Sequence, residues 1–400
     1  MNKISKTAFC ILFVMCFINL AVSQTIPSAR TRGMMVLANK YFTDKWPEPG
    51  KPVSTDEERP GNTWTRAVYY EGLMALYSVI PDPSFLNTML QWGEFHKWNM
   101  YEGVTTRNAD NQCCAQTYID LYMLDRYKEE RIKEIRACID GMVKTDKVDD
   151  WSRIDALQMA MPVFARLGSI YHNESYFDRM HQMYMHTKLK HGTTGLYNSE
   201  EHLWWGDRDF VPPYKEPNGA NCYWSRGNGM VAAALVRTLQ FLPEKIKYRK
   251  EYVTTLEEMF EALVPLQRAD GFWNVSLKDS THFGGRETTG TALFTYSMAW
   301  SINNGLISKK DYLPVVMKAW NALITESVHN NGFIGYVQGT GKEPKDGQPV
   351  GYDIAPDFED FGLGCFLLAG TEVYKMTKAM EPVVKPPKPE KENVKAKKAN

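Results

Sequence analysis

The chain reads as all-α, and the architecture expected of it is a six-hairpin α/α barrel. Three observations lead there. Apolar residues recur at spacings of three and four almost throughout, whereas alternating β-type patterns are short and confined to connections. That periodicity marks twelve helices, enough for six hairpins. A glycine-aromatic return also follows three of the helices at intervals of about 60–75 residues, as in stacked helical hairpins.

In order, the helices are expected at 29–42, 62–79, 84–97, 110–127, 130–145, 151–168, 174–190, 222–242, 248–267, 286–303, 308–324 and 358–378. Trp64 falls at the start of the second and Asp110 at the start of the fourth. Asp149-Asp150-Trp151-Ser152 opens the sixth, placing Asp155 in its first turn, and Trp224-Ser225-Arg226-Gly227-Asn228-Gly229 opens the eighth. Met230, Val231, Ala234, Leu235 and Leu239 give that helix a buried face. The returns Gly195-Leu196-Tyr197, Gly271-Phe272-Trp273 and Gly332-Phe333-Ile334 follow the seventh, ninth and eleventh helices, with glycine where a left-handed helix end prefers it. Stacked hairpins bury their faces in an open solenoid or in a closed ring. Six of them with long decorated returns favour the ring, with loops gathered into a concave mouth.

The ends and the composition bound the function. Lys3, Lys6, an apolar run from Ala8 to Val22 and Ala21-Val22-Ser23 before Gln24 predict a cleavable secretory signal over 1–23, hence export to the periplasm or the medium. Residues 24–382 read as one catalytic domain, and the Lys/Pro-rich 383–400 as a disordered tail. No other run approaches a membrane span, so stable membrane insertion is not expected. Lys and Arg total 47, as do Asp and Glu, and this balance points away from a nucleic-acid partner. Five cysteines (113, 114, 138, 222 and 365) follow the signal, too few and scattered for a disulfide framework, and adjacent Cys113 and Cys114 are expected packed inside a helix. Metal, nucleotide and serine-hydrolase motifs are absent, so no metal or cofactor is expected. Nothing here bears on oligomeric state.

Several residues suit an acidic sugar. Asp155 either complements its helix dipole or acts as an acid, and the second role needs burial or a neighbouring carboxylate to raise its pKa. Asp110 is that neighbour or an ordinary N-cap. Arg226 sits among glycines that admit close approach, ready for a carboxylate ligand or for an ion pair with Asp207, Asp209 or another loop acid. The loop from Tyr197 to Tyr223, with Trp204 and Trp205, offers flat rings to a sugar or closes as a small hydrophobic cluster.

With these residues in place, the chain resembles the unsaturated glucuronyl and galacturonyl hydrolases of glycoside hydrolase families 88 and 105, the latter more closely. The resemblance rests on Trp64 through Leu73, Asp110, Trp151 through Pro162, Trp224 through Gly229, Arg286 through Ala292 and Phe361-Gly362-Leu363-Gly364. It implies a barrel that acts on an acidic oligosaccharide, protonating the C4=C5 double bond of a terminal unsaturated uronic acid and adding water at C5. By the same resemblance Asp155 is the general acid and then the base for water, Asp110 positions the sugar and keeps Asp155 protonated, and Trp64, Trp224 and Arg226 line the uronate pocket. Two positions depart from the family pattern, both expected to touch substrate: Asn198 stands where a histidine is usual, and Met230 where a tryptophan is usual. A conventional barrel glycosidase, a uronate polysaccharide lyase and a non-catalytic sugar-binding barrel are the competing readings.

Overall fold

Whether a helix is apolar on one face or all round separates the two layers of the molecule. The computed structural model describes residues 26–53, 59–125 and 128–382, so the expected signal and tail lie outside the described residues. Its helices are α1 (Ser28–Lys45), α2 (Trp64–Val79), α3 (Pro83–Phe95), α4 (Ala109–Gln112), α5 (Ala115–Leu124), α6 (Lys133–Val143) and α7 (Asp155–Tyr171). They continue with α8 (Glu174–Leu189), α9 (Ser225–Leu239), α10 (Arg249–Leu263), α11 (Thr288–Asn303), α12 (Lys309–Ala322) and α13 (Asp360–Met380). Every residue of α9 is buried, whereas α10, of equal length, buries one stripe. The first pattern belongs to a helix enclosed on all sides and the second to one lying on a surface.

The enclosed helices form the inner ring: α2, α4 with α5, α7, α9, α11 and α13 each pack on the next, and α13 packs back on α2. The stack is therefore closed, as the barrel reading expects. Closure brings backbones into contact, because a Cβ on Gly72 would lie 2.5 Å from the Gly364 carbonyl oxygen. The outer layer shows a shift in hairpin phase. The first helix of the chain does not pair with the second; α1 covers α13, and Ser28 N and Oγ donate to Glu381 at 3.0 and 2.6 Å. Four of the remaining outer helices follow their inner partners, α3 on α2, α8 on α7, α10 on α9 and α12 on α11, whereas α6 packs against α8.

Two local expectations need correction. The helix expected over 110–127 is broken into α4 and α5 at Cys113 and Cys114, both buried and unbridged. The repeat glycines do adopt positive φ (76°, 97° and 98° at Gly195, Gly271 and Gly332), but they sit in turns beyond the outer helices and do not cap them directly. In two of these turns the carbonyl after glycine accepts from the residue four earlier, Arg268 N to Phe272 O and His329 N to Phe333 O, both at 2.8 Å. The only regular strands among the described residues are β1 (Tyr197–Asn198) and β2 (Leu203–Trp204), a small antiparallel pair in the 197–223 loop. Among the described residues no helix is long and apolar enough to cross a membrane.

Candidate active site

Because the inner helices run the same way, their first residues share one rim, and a cavity of about 390 Å³ opens there. Trp64 opens α2, Asp110 lies in α4, Asp155 opens α7, and Trp224 and Arg226 flank the first residue of α9; all five line this cavity, with Met230. Asp110 is not the helix cap, since Asn108 does that work by accepting from Asp110 N at 3.0 Å. The Asp110 side chain is left pointing at the cavity.

The two aspartates share one cation. Arg153 Nη2 lies 2.9 Å from Asp155 Oδ2 and 3.8 Å from Asp110 Oδ1. Asp155 is 7% exposed, and its second oxygen, Oδ1, is buried without a hydrogen-bond partner. A buried carboxylate oxygen left unsatisfied is costly unless a proton or a ligand meets it. Asp110 is held above the ordinary carboxylate range, first by burial and then by the charge of Asp155, against the pull of Arg153, Arg59 and Lys342. The pair therefore stands close enough for its ionisations to be linked.

Arg226 lines the cavity but lacks the ion pair weighed for it. Its side chain is buried and forms no ion pair among the described residues, with Asp207, Asp209 or any other acid. Both ends of its fork are occupied by backbone, Nη1 donating to Gln338 O at 2.6 Å and Nη2 to Gly339 O at 2.9 Å, while the guanidinium lies over the Trp224 and Phe361 rings. Burial pulls its pKa below the usual value, with the nearby charge of Glu287 opposing the shift. Arg226 thus reaches the cavity wall with two of its N–H groups given to the backbone.

Asn198 is not on that wall. Its Nδ2 donates to Tyr223 Oη at 2.7 Å, and its Oδ1 accepts from Glu200 N and Glu201 N at 2.9 and 3.3 Å. It shapes the turn between β1 and β2. The loop tryptophans also turn inward: Trp204 and Trp205 are buried, and Asn228 of α9 clasps Trp204 N and O at 2.8 and 2.9 Å. The hydrophobic-cluster alternative holds for them. Glu287 in the Arg286–Ala292 segment caps α11, accepting from Thr289 N and Gly290 N at 2.9 and 2.6 Å.

Sequence reasoning gave no site role to Arg59, Tyr101, Glu102, Thr340 or Lys342, all on the cavity wall. Arg153 had one available signal, its place two residues before Asp155 in the same helix start. Gly339-Thr340-Gly341-Lys342 carried only glycine-rich irregularity. Among the described residues no group of three or more His, Cys, Asp or Glu side chains is arranged to hold a metal ion.

Comparison with known proteins places the chain among the glycoside hydrolases. The sequence profile of Glycosyl Hydrolase Family 88 matches residues 35–377. An unsaturated 3S-rhamnoglycuronyl hydrolase of Formosa agariphila is 30% identical over 334 residues, 78% of this chain and 84% of the relative. The structure of a glycosyl hydrolase family 88 protein from Bacteroides vulgatus is 32% identical, with a TM-score of 0.79 over 88% of this chain and 99% of that one. A solved structure described as a polysaccharide lyase is 31% identical, with a TM-score of 0.80 over 89% and 99% of the two chains.

Proposed function

Because the chain belongs to glycosyl hydrolase family 88, we propose that it removes a terminal 4,5-unsaturated uronic acid from acidic oligosaccharides, using Asp155 as proton donor. One observation carries this assignment: a buried, unpartnered Asp155 Oδ1 lines the same cavity as Asp110, with Arg153 between the two carboxyls.

In the proposed reaction, Asp155 Oδ1 delivers a proton to C4 of the double bond as charge builds at C5. Water then bonds to C5 and returns its proton to the carboxylate, so the acid is regenerated. The resulting hemiketal opens and releases the leaving sugar. Asp110, already biased towards holding a proton, keeps one on the pair and orients the sugar. Arg59, Arg153 and Lys342 give the cavity the positive charge that an anionic uronate needs, and Trp64 and Trp224 present rings to its apolar faces. The chemistry differs from cleavage by two carboxyls flanking a glycosidic oxygen.

The lyase reading keeps one specific support, the 31% identical solved structure described as a lyase. The two reactions are opposite in their effect on the chromophore. Incubation with oligosaccharides made by uronate lyases should remove the unsaturated-uronate absorbance; a gain of that absorbance on intact polysaccharide would establish the lyase instead. Of the two supports for a non-catalytic barrel, Asn198 stands off the cavity wall and Met230 alone lines it. We further infer export, from the sequence of residues 1–23. The protein recovered from outside the cytoplasm should begin at Gln24.

A further inference from the structure

Two ties join the chain segments that carry Asp110 and Asp155, one on each side of the pair. Deeper in the barrel, Gln116 Nε2 of α5 donates to the Gln158 carbonyl of α7 at 2.7 Å. In the loops that precede the inner helices, Arg107 and Asp150 form a two-point ion pair, Nε donating to Oδ1 at 2.8 Å and Nη2 to Oδ2 at 2.5 Å. Arg107 adjoins Asn108, the cap that holds Asp110 N. Asp150 adjoins buried Trp151, whose carbonyl accepts from Thr187 Oγ1 at 2.7 Å. The Asp150 carboxyl is only 4% exposed and has a second cation, Lys147 Nζ, 3.4 Å from Oδ1. Arg107 completes its hold on this loop through Thr145 Oγ1 at 3.4 Å and the Lys147 carbonyl at 3.5 Å. Neither Arg107 nor Asp150 is among the residues that line the cavity.

A two-point pair of a guanidinium and a buried carboxylate fixes both distance and direction, unlike an exposed pair that swings in solvent. Asp110 lies three residues beyond Arg107, and Asp155 five beyond Asp150, so this pair governs how far apart the two segments enter the rim. Arg153 is the one side chain among the described residues that bridges the two carboxyls, and at 2.9 and 3.8 Å, with its own side chain partly exposed, it can follow a shift but not prevent one. We propose that Arg107 and Asp150 are positioning residues for the reaction, setting the spacing of Asp110 and Asp155 and with it the electrostatic coupling of the pair. They act through the two aspartates and touch no substrate. The inference rests on the uronyl-hydrolase reading above, in which the two carboxyls work as a unit.

The test uses the full chain and an unsaturated uronate disaccharide, well below the unfolding temperature. Arg107→Met keeps the stem and removes the fork, and Asp150→Asn keeps the shape and removes the charge. Each should lower kcat about tenfold with KM within about threefold, because a misplaced acid slows the chemistry more than it weakens binding. Arg107→Lys, which keeps the charge but loses the two-point grip, should recover part of that kcat. Looser spacing weakens the effect of the Asp155 charge on Asp110, so the alkaline limb of the kcat profile should move to lower pH by about half a unit. In an Asp110→Asn background, Arg107→Met should cost less than about threefold in kcat, since no carboxyl is left there to place. The proposal is overturned by an unmoved alkaline limb, by a rise in KM alone, by a lower melting temperature with kcat unmoved, or by the full tenfold loss persisting in the Asp110→Asn background. Should Arg107→Met fail to fold, Asp150→Asn decides by the same criteria. Wild-type turnover separates the two readings: an inert wild type refutes the reaction assigned to this cavity, whereas an active wild type whose variants keep its kcat and pH profile refutes the positioning role.

Discussion

Replacing Arg226 by lysine tests whether that residue recognises the uronate or holds the wall that does. Arginine at this position makes two charge-assisted hydrogen bonds, at 2.6 and 2.9 Å, to the carbonyls of buried Gln338 and Gly339. A lysine ammonium is a single point donor and can serve one of them. The other carbonyl then loses its charged partner, at about 1.5–3 kcal/mol, and the stacking on Trp224 and Phe361 weakens by roughly 1 kcal/mol. For a chain of this length the combined loss of about 2–4 kcal/mol corresponds to a melting temperature lower by about 3–5 °C.

The kinetic consequence follows from the same contacts. Loosening Gln338 and Gly339 loosens the Thr340–Lys342 stretch of the cavity wall that follows them, so KM should rise by a similar factor for an unsaturated uronate disaccharide and for its carboxyl-reduced analogue. Melting curves and KM for both substrates, on wild type and Arg226→Lys, give the answer. If the variant loses affinity for the acid alone and keeps its affinity for the reduced sugar, Arg226 binds the carboxylate directly and the architectural account is wrong.

Asp155→Asn should lower kcat on the order of 10²–10⁴-fold with the fold intact; turnover within a few-fold of wild type would remove Asp155 as donor. Asp110→Asn should raise the melting temperature at neutral pH while lowering activity. The raised Asp110 carboxyl binds its proton more tightly in the folded chain than in the unfolded one, so folding loses stability as pH rises through that window, and the amide escapes the loss. A variant that is less stable at pH 7 would contradict this. Asp360, buried at the start of α13, is pushed up to about 6 by burial, with Arg66 opposing. The stability of Asp360→Asn relative to wild type, read by denaturant titration, should therefore rise by about 2 kcal/mol from pH 4 to pH 7, and a difference independent of pH would refute it. Asn198→Ala should cost about 1–2 kcal/mol of stability through its turn and Tyr223, with kcat/KM nearly unchanged, and a large rise in KM would return Asn198 to the substrate pocket.

What the sequence made legible was whatever depends on helix starts. Trp64, Asp110, Asp155, Trp224 and Arg226 could be placed on one rim because helix beginnings are marked by caps and by the onset of periodicity, and the inner helices of a ring begin at one end. What stayed hidden depends on contacts between remote segments. Arg226 meets its carbonyls more than a hundred residues away, and α1 covers α13 from the opposite end of the chain. No local pattern encodes either. Asn198 was misplaced for a related reason: it lies in a two-residue strand whose direction is set by a turn and by Tyr223, not by helical spacing. The 338–342 segment has no period at all.

The setting of Asp110 also bears on the chemistry. As sequence, Asp110 and Asp155 look equivalent, each near a helix start, where aligned peptide dipoles favour a carboxylate. In the structure the backbone stays helical from α4 through Cys113 and Cys114 into α5, so such a dipole acts at Asp110 as well. Burial and the neighbouring Asp155 charge outweigh it and raise the Asp110 pKa. An entering uronate adds a further negative charge beside the pair, and like charge favours the protonated form. Arg153, bound to both carboxyls, keeps them facing the cavity while this happens. In the reaction proposed here, the arriving charge of the substrate therefore strengthens the hold of Asp110 on its proton.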